Sequence, residues 1–182
     1  SEISEESLLE QITYVGHAGY LFKGTVRENL LLAKPDGTDE EFWQVLEQMK
    51  LADFLRSEQG LDTMLAEKGS NFSGGQCQRL VMARALLHDS PVYIFDEATS
   101  NIDAESENDI MEQIYQMKGK KTVLLISHRL ANVIAADKIY VMEQGKIAEQ
   151  GNHEALIAQN GSYAKLWNTQ QELEDYRKEK AS

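Results

Sequence analysis

The sequence predicts an α/β fold, a mainly parallel sheet flanked by helices, with an α-helical subdomain inserted. Three observations carry this. Two short runs, Val92–Phe95 and Thr122–Ile126, are continuously apolar, as a strand buried on both faces requires. Apolar residues three and four apart mark helices around these runs, and strands that alternate with helices make a parallel sheet. The stretch from Asp39 to Leu87 reads as nearly all helix, so it is an insertion into that core.

Each element has its own signal. Ser4 caps a short helix to Gln11, with Glu5 and Glu6 in the positive first turn. Ile12–Val15 is β-rich and short, hence a strand. Gly16, Gly19 and Gly24 make the next ten residues a loop. Thr38 and Glu41 form a capping box for a helix that aligns Phe42, Val45, Leu46 and Met49. A second short helix, Ala52–Ser57, ends by Gly60. Asn71–Gly75 is a turn, after which Leu80, Ala83, Leu86 and Leu87 recur at helical spacing until Pro91 stops them. Ala104–Met117 is a helix with Ile110, Met111, Ile114 and Met117 inward. Thr122–Ser127 is the second buried strand, followed by a helix over Leu130–Ala135. Ile139–Met142 and Lys146–Glu149 flank Gln144-Gly145 as a β-hairpin. A helix over Glu154–Ala158 and a charged one from Tyr163 onward finish the chain.

Composition removes several function classes. Asp plus Glu number 30 against 18 Lys plus Arg, a net charge of −12. Such an excess of acid argues against a nucleic-acid partner, because phosphate backbones are held by clustered Lys and Arg. No apolar run approaches the ~20 residues of a membrane span. The single cysteine, Cys77, excludes an internal disulfide and a Cys-rich metal site, and reads as a small packed residue. The chain begins at Ser1 without a Met, which suggests a fragment or processed piece.

Three motifs carry chemistry. In Phe72-Ser73-Gly74-Gly75-Gln76, Ser73 and Gln76 are spaced as a capping box, and the glycines let backbone approach a ligand closely. Free N–H groups at a helix start suit a phosphate; a plain capped helix after a glycine turn explains the same residues. In Val92–Glu97 a buried strand ends in two carboxylates, at the sheet end where open α/β folds bind ligands. Asp96 there can hold Mg²⁺ through oxygen, and Glu97 can polarise a water. Ser127-His128-Arg129 again follows a strand, where His128 can donate to a phosphate oxygen or orient a water. A histidine by itself is also an ordinary surface residue.

Taken in order, these motifs resemble the ATP-binding-cassette ATPase family over about Ser4 to Leu166. Asn71–Arg79 is similar to its signature, with Phe72 where Leu is usual. Tyr93–Glu97 resembles Walker B plus the catalytic glutamate, Ser100-Asn101-Ile102-Asp103 the D-loop, and Ser127-His128-Arg129 the switch-histidine motif. Tyr20–Leu30 resembles the segment after the Q-loop in exporters fused to membrane helices. Leu65–Gly69 is similar to the exporter X-loop, with Glu67 at its acidic position. Leu30–Ala33 and Ala85–Asp89 are similar to bacterial exporters of cysteine and glutathione.

The resemblance implies a P-loop NTPase-like (RecA-like) core with an inserted helical subdomain, incomplete here. Its parts would be 1–35 (Q-loop strand and loop), 36–90 (helical, with signature), 91–168 (Walker B to the hairpin) and 169–182 (charged tail). The sequence departs from the family in two ways. The Q-loop glutamine position holds His17, whose charge varies with pH, which bears on Mg²⁺ coordination. No G-x-x-x-x-G-K-[ST] occurs, so the cradle for the β- and γ-phosphates is missing and the chain reads as a C-terminal fragment that binds ATP weakly or not at all. The absent Walker A strand would lie between Thr122–Ser127 and Ile139–Met142. The expectation is that the chain rearranges to close this gap or self-associates through exposed sheet edges.

In the whole protein the resemblance implies two such domains head to tail with ATP between them, coupled to a transmembrane domain at the cytoplasmic face of a bacterial membrane. Ser73, Gly74, Gly75 and Gln76 would touch ATP in trans. Asp96, with His17, would serve Mg²⁺. Glu97 and His128 would be catalytic, and Asp103 and Glu67 would lie at interfaces. A non-transport ATPase of the family and a non-catalytic half of an asymmetric pair are the alternatives.

Overall fold

The computed structural model describes all residues except 1–3, 18, 101 and 182. The chain forms two compact units, residues 1–126 and 127–182.

The first unit is built on a parallel sheet. Helix α1 (Glu5–Gln11), capped by Ser4, leads into β1 (Ile12–Gly16). Strand β4 (Val92–Asp96) pairs with β1 on one side and β5 (Thr122–Ile126) on the other, both parallel. Gly16, Asp96 and Ile126 stand in register at the C-terminal end. Helices α5 (Gly74–His88) and α6 (Ala104–Gln116) cover the sheet. Ile110, Met111, Ile114 and the following Met117 are buried, as their spacing predicts. Tyr93 and Phe95 stack on the covered face at 5.8 Å between ring centroids, and burial pushes the Tyr93 phenol up to about 12.

The helical insertion contains α3 (Asp39–Gln48), with the Thr38–Glu41 capping box, and α4 (Ala52–Ser57). Phe42, Val45, Leu46, Met49, Leu51 and Leu55 are buried and continuous with the core beside the sheet. Each such side chain contributes about 1.5–3 kcal/mol of burial.

The structure corrects the sequence reading in several places. A helix, α2 (Val26–Leu31), directly follows the glycine loop, where the sequence reading placed no helix, capped by Thr25 with a full Thr25–Glu28 box. The insertion is not all helix, because it contains β3 (Met64–Leu65), which pairs antiparallel with β2 (Gly24–Thr25) of the preceding segment. Strand β5 is not buried on both faces. Val123 and Leu125 pack on the core, whereas Leu124 is 51% exposed. Leu124 stands in register with Ile94 of β4, itself only partly buried, and through it with the exposed Tyr14 of β1. One whole face of the three-stranded sheet is thus left uncovered within this unit, and β4 too is fully buried on one face alone.

The second unit holds a 3₁₀ turn (Leu130–Val133) in place of the expected helix, then the hairpin of β6 (Ile139–Glu143) and β7 (Lys146–Gly151). Gln144 and Gly145 both have positive φ, the backbone that a tight hairpin turn requires. Helices α7 (His153–Gln159) and α8 (Ser162–Ala181) follow, packed around Ile139, Val141, Leu156 and Tyr163. Among the described residues β6 pairs only with β7, and β5 only with β4. Of the two expected outcomes, rearrangement to close the sheet or self-association through its edges, no strand pairing of the first kind is present among the described residues. No helix among the described residues is long and apolar enough to cross a membrane.

Candidate functional site

The first part of the site is the start of α5. Asn71 holds the approach, its side chain accepting from Ala66 N at 2.8 Å and donating to Met64 O at 2.9 Å. Ser73 is extended and caps the helix. Its Oγ accepts from Gln76 N at 3.1 Å, and Gln76 Oε1 accepts from Ser73 N at 2.8 Å. Ser73 and Gly74 are exposed and Gln76 partly so. A 15-residue helix thus presents its positive end to solvent.

Gly75 is buried for a different reason. A Cβ there would overlap Ser106 Oγ and lie 2.9 Å from Asp103 Oδ2 and 3.0 Å from Ser106 Cβ. This close approach brings the signature-like turn against the N-terminus of α6. Gly75→Ala is expected to destabilise the fold by about 2 kcal/mol: overpacking of about 3 kcal/mol outweighs about 1 kcal/mol of helix propensity. Urea unfolding checks this, and a gain in stability would show that Ser106 yields freely.

Asp103 caps α6. Its Oδ1 accepts from Ser106 N and its Oδ2 from Ser106 Oγ, both at 2.8 Å. These bonds, the backbone one first, hold the Asp103 carboxyl below the usual carboxylate value. Of the D-loop-like stretch, Asn101 lies outside the described residues.

The second part is the C-terminal end of the sheet. Asp96 ends β4 beside Gly16, so His17 leaves β1 at the same sheet end as Glu97 leaves β4. His17 is exposed. Tyr14 Oη donates to Asp96 Oδ2 at 2.8 Å, and this bond raises the Tyr14 phenol pKa. Glu97 has φ 52°, a left-handed conformation uncommon for a side chain of this kind. Its backbone is tied on both sides: Glu97 N donates to Ile126 O at 3.0 Å and Glu97 O accepts from Ser100 N at 2.9 Å. Strain held in place by such bonds is a feature of functional positions.

The donor set accounts for what this end can hold. Among the described residues no group of three His, Cys, Asp or Glu is placed to cage a metal. The Asp96 carboxylate suits Mg²⁺, which takes one or two protein carboxylates and completes its shell with phosphate and water. The His17 imidazole is the poorer donor for so hard an ion.

The exporter-like stretches meet through β2 and β3. Asn29, buried on α2, donates to Phe22 O at 2.9 Å and Thr25 O at 3.0 Å, and accepts from Phe22 N at 2.9 Å. Sequence reasoning missed this residue, although Thr25 and Glu28 carried the signal for its helix. The loop so fixed displays Tyr20 and Phe22 edge to face at 4.8 Å, both about half exposed. They border an open groove of about 460 Å³ that Leu9, Leu32, Val81 and Arg84 also line. Burial lowers the Arg84 guanidinium from its ordinary pKa. Glu67 is exposed on a 3₁₀ turn (Glu67–Gly69) after β3. Gly69 seats that turn on α5, where Cys77 Sγ donates to Gly69 O at 3.4 Å. Burial raises the Cys77 thiol pKa, consistent with a packed residue.

His128 belongs to the second unit, just before the 3₁₀ turn, and is exposed. Ser127 Oγ accepts from Arg129 N and donates to Arg129 O, both at 3.0 Å.

Known proteins resemble the chain along most of its length. Residues 1–100 match the family model described as ABC transporter. An uncharacterized ABC transporter ATP-binding protein of Haemophilus influenzae is 51% identical over 175 residues, 96% of this chain and 31% of the relative. The ATP-dependent lipid A-core flippase 1 of Colwellia psychrerythraea is 44% identical over 162 residues, 88% of this chain and 27% of the flippase. A solved structure of a bacterial Atm1-family ABC exporter with ATP bound matches with a TM-score of 0.85 and 33% identity, over 92% of this chain and 29% of that one. The chain spans about a third of the length of the curated relatives it matches. With more than half of its residues under the family model, and with an ABC exporter sharing its α/β fold, the chain belongs to the ABC transporter family.

Proposed function

We propose that this chain forms part of the ATP-binding and ATP-hydrolysing domain of an exporter, in which hydrolysis drives transport through a transmembrane domain. The supporting observation is one compact unit that joins a capped Ser73-Gly74-Gly75-Gln76 helix start to a central parallel strand that ends at Asp96, followed by Glu97. The relatives' names, a lipid A-core flippase and an Atm1-family exporter, agree with it.

In this reading ATP lies between two such domains placed head to tail. The exposed N–H groups of α5 and the Ser73 hydroxyl face the γ-phosphate held by the other domain. Asp96, with His17 nearby, serves the ion; Mg²⁺ when bound neutralises charge on the β- and γ-phosphates. Glu97 takes the proton of the attacking water, or orients it, from a backbone tied on both sides. His128 donates to the γ-phosphate. Asp103 and Glu67 lie where domains meet. The groove beside Tyr20 and Phe22 receives the transmembrane part at the cytoplasmic face of the membrane. The open edge of β5, with Leu124 exposed, pairs with the Walker A strand that the family carries or with a second copy of this chain.

Steady-state hydrolysis of Mg-ATP by the whole purified protein tests the reading. Turnover on the order of 1–10 s⁻¹ is expected. No turnover above the background would overturn it.

A further inference from the structure

The charged tail reads from sequence as a solvated terminal helix, yet one of its side chains reaches the switch-histidine loop. Gln170 Nε2 donates to His128 O at 2.6 Å, and Gln170 Oε1 accepts from Leu130 N at 3.0 Å. One amide thus grips a carbonyl and an N–H on either side of Arg129. Its orientation is set by its partners, since a flipped amide would face N–H with NH₂ and C=O with C=O. The Ser127 hydroxyl holds both backbone groups of Arg129. The loop from Ser127 to Leu130 is therefore bonded from two side chains at four backbone groups.

Helix α8 is anchored where Gln170 leaves it. Tyr163 is buried and its Oη lies 2.8 Å from His153 Nδ1. Trp167 packs edge to face on His153 at 4.7 Å. Glu149 of β7 accepts from Ser162 N and Tyr163 N at the start of the helix. Tyr163, Trp167 and Gln170 are four and three residues apart, so they share one helix face. The hairpin and α7 fix that face, and the face fixes the loop.

We propose that Gln170 is a positioning residue for His128: α8 sets the backbone from which the imidazole is presented. The functional side of this rests on the proposed ATPase reading; the backbone clamp does not.

Two measurements test the proposal. In the 182-residue chain, Gln170→Ala is expected to speed hydrogen exchange at the Leu130 amide about fivefold, the worth of one hydrogen bond. Gln170→Glu keeps the acceptor and so keeps Leu130 protected, but loses the donor and shifts the His128 carbonyl carbon resonance. Amides of β6 and β7 should keep their protection in both variants. An unchanged Leu130, or equal acceleration across β6 and β7, would overturn the clamp and make Gln170 a packing residue. In the whole protein, Gln170→Ala is expected to lower kcat about fivefold or more with KM for ATP within about twofold. Faster exchange at Leu130 with unchanged kcat would overturn the positioning role. A wild-type protein without ATPase activity would sink the ATPase reading instead, with exchange still deciding the clamp.

Discussion

Replacing Glu97 by glutamine is expected to lower ATP turnover of the whole protein by about a hundredfold, within the range that a positioned general base supplies. The change removes the carboxylate and keeps the shape, so the hydrogen bonds that tie Glu97 N to Ile126 and Glu97 O to Ser100 survive. Nucleotide affinity should therefore stay within about threefold, the pattern of an interaction made in the transition state alone. Steady-state kinetics and equilibrium binding of ATP to the same preparation check both halves. Turnover equal to wild type would remove Glu97 from the chemistry and leave its left-handed backbone as a feature of the turn alone. A parallel loss of affinity and turnover would show that the substitution had disturbed the loop.

Asp109→Ala is expected to destabilise the first unit by about 3–5 kcal/mol, the usual loss when one partner of a buried ion pair is removed. Asp109 lies on α6, with its side chain only 8% exposed. Its Oδ1 accepts from Lys50 Nζ at 2.6 Å and its Oδ2 from Arg79 Nη2 at 2.7 Å. The two cations differ in what they lose. Lys50 is mostly exposed and turns to water. Arg79 is 14% exposed on α5, and its Nε already has no hydrogen-bond partner. Without Asp109 a buried guanidinium is left uncompensated. Urea unfolding measures the loss, and a value under about 1 kcal/mol would show that water reaches Arg79 readily. The double variant Arg79→Met with Asp109→Leu should be more stable than Asp109→Ala, since no charge is then stranded.

Much of this molecule is legible in its sequence because its signals are local. The Thr38–Glu41 and Ser73–Gln76 boxes announce α3 and α5, and the apolar run from Val92 to Phe95 announces β4. The same signal was present at Thr25 and Glu28, but Gly16, Gly19 and Gly24 before it favoured a loop and hid α2. Thr122–Ile126 shows the limit of a pattern: an apolar run states what a strand could bury, and only its place in the sheet states what it does bury. Of the candidate site, the order Ser73 to Gln76, Asp96-Glu97, Asp103 and His128 was legible as a succession of motifs. The contact of Gly75 with Asp103 and Ser106 was not, nor was the grip of Gln170 on residues 128 and 130, because these join positions about thirty or forty apart by packing.

The pairing of β2 with β3 has a mechanical consequence. Gly24 and Thr25 are bonded to Leu65 and Met64, and Val26 N donates to Thr63 O at 3.0 Å. From Met64 the Asn71 amide bridges to Ala66, and two residues later Ser73 starts α5. A pull on the aromatic loop at Tyr20 and Phe22 thus passes through short, hydrogen-bonded links with little slack between them. The segment that borders the groove and the exposed start of α5 are thus tied by a short run of hydrogen bonds, so a displacement of one is expected to carry the other with it.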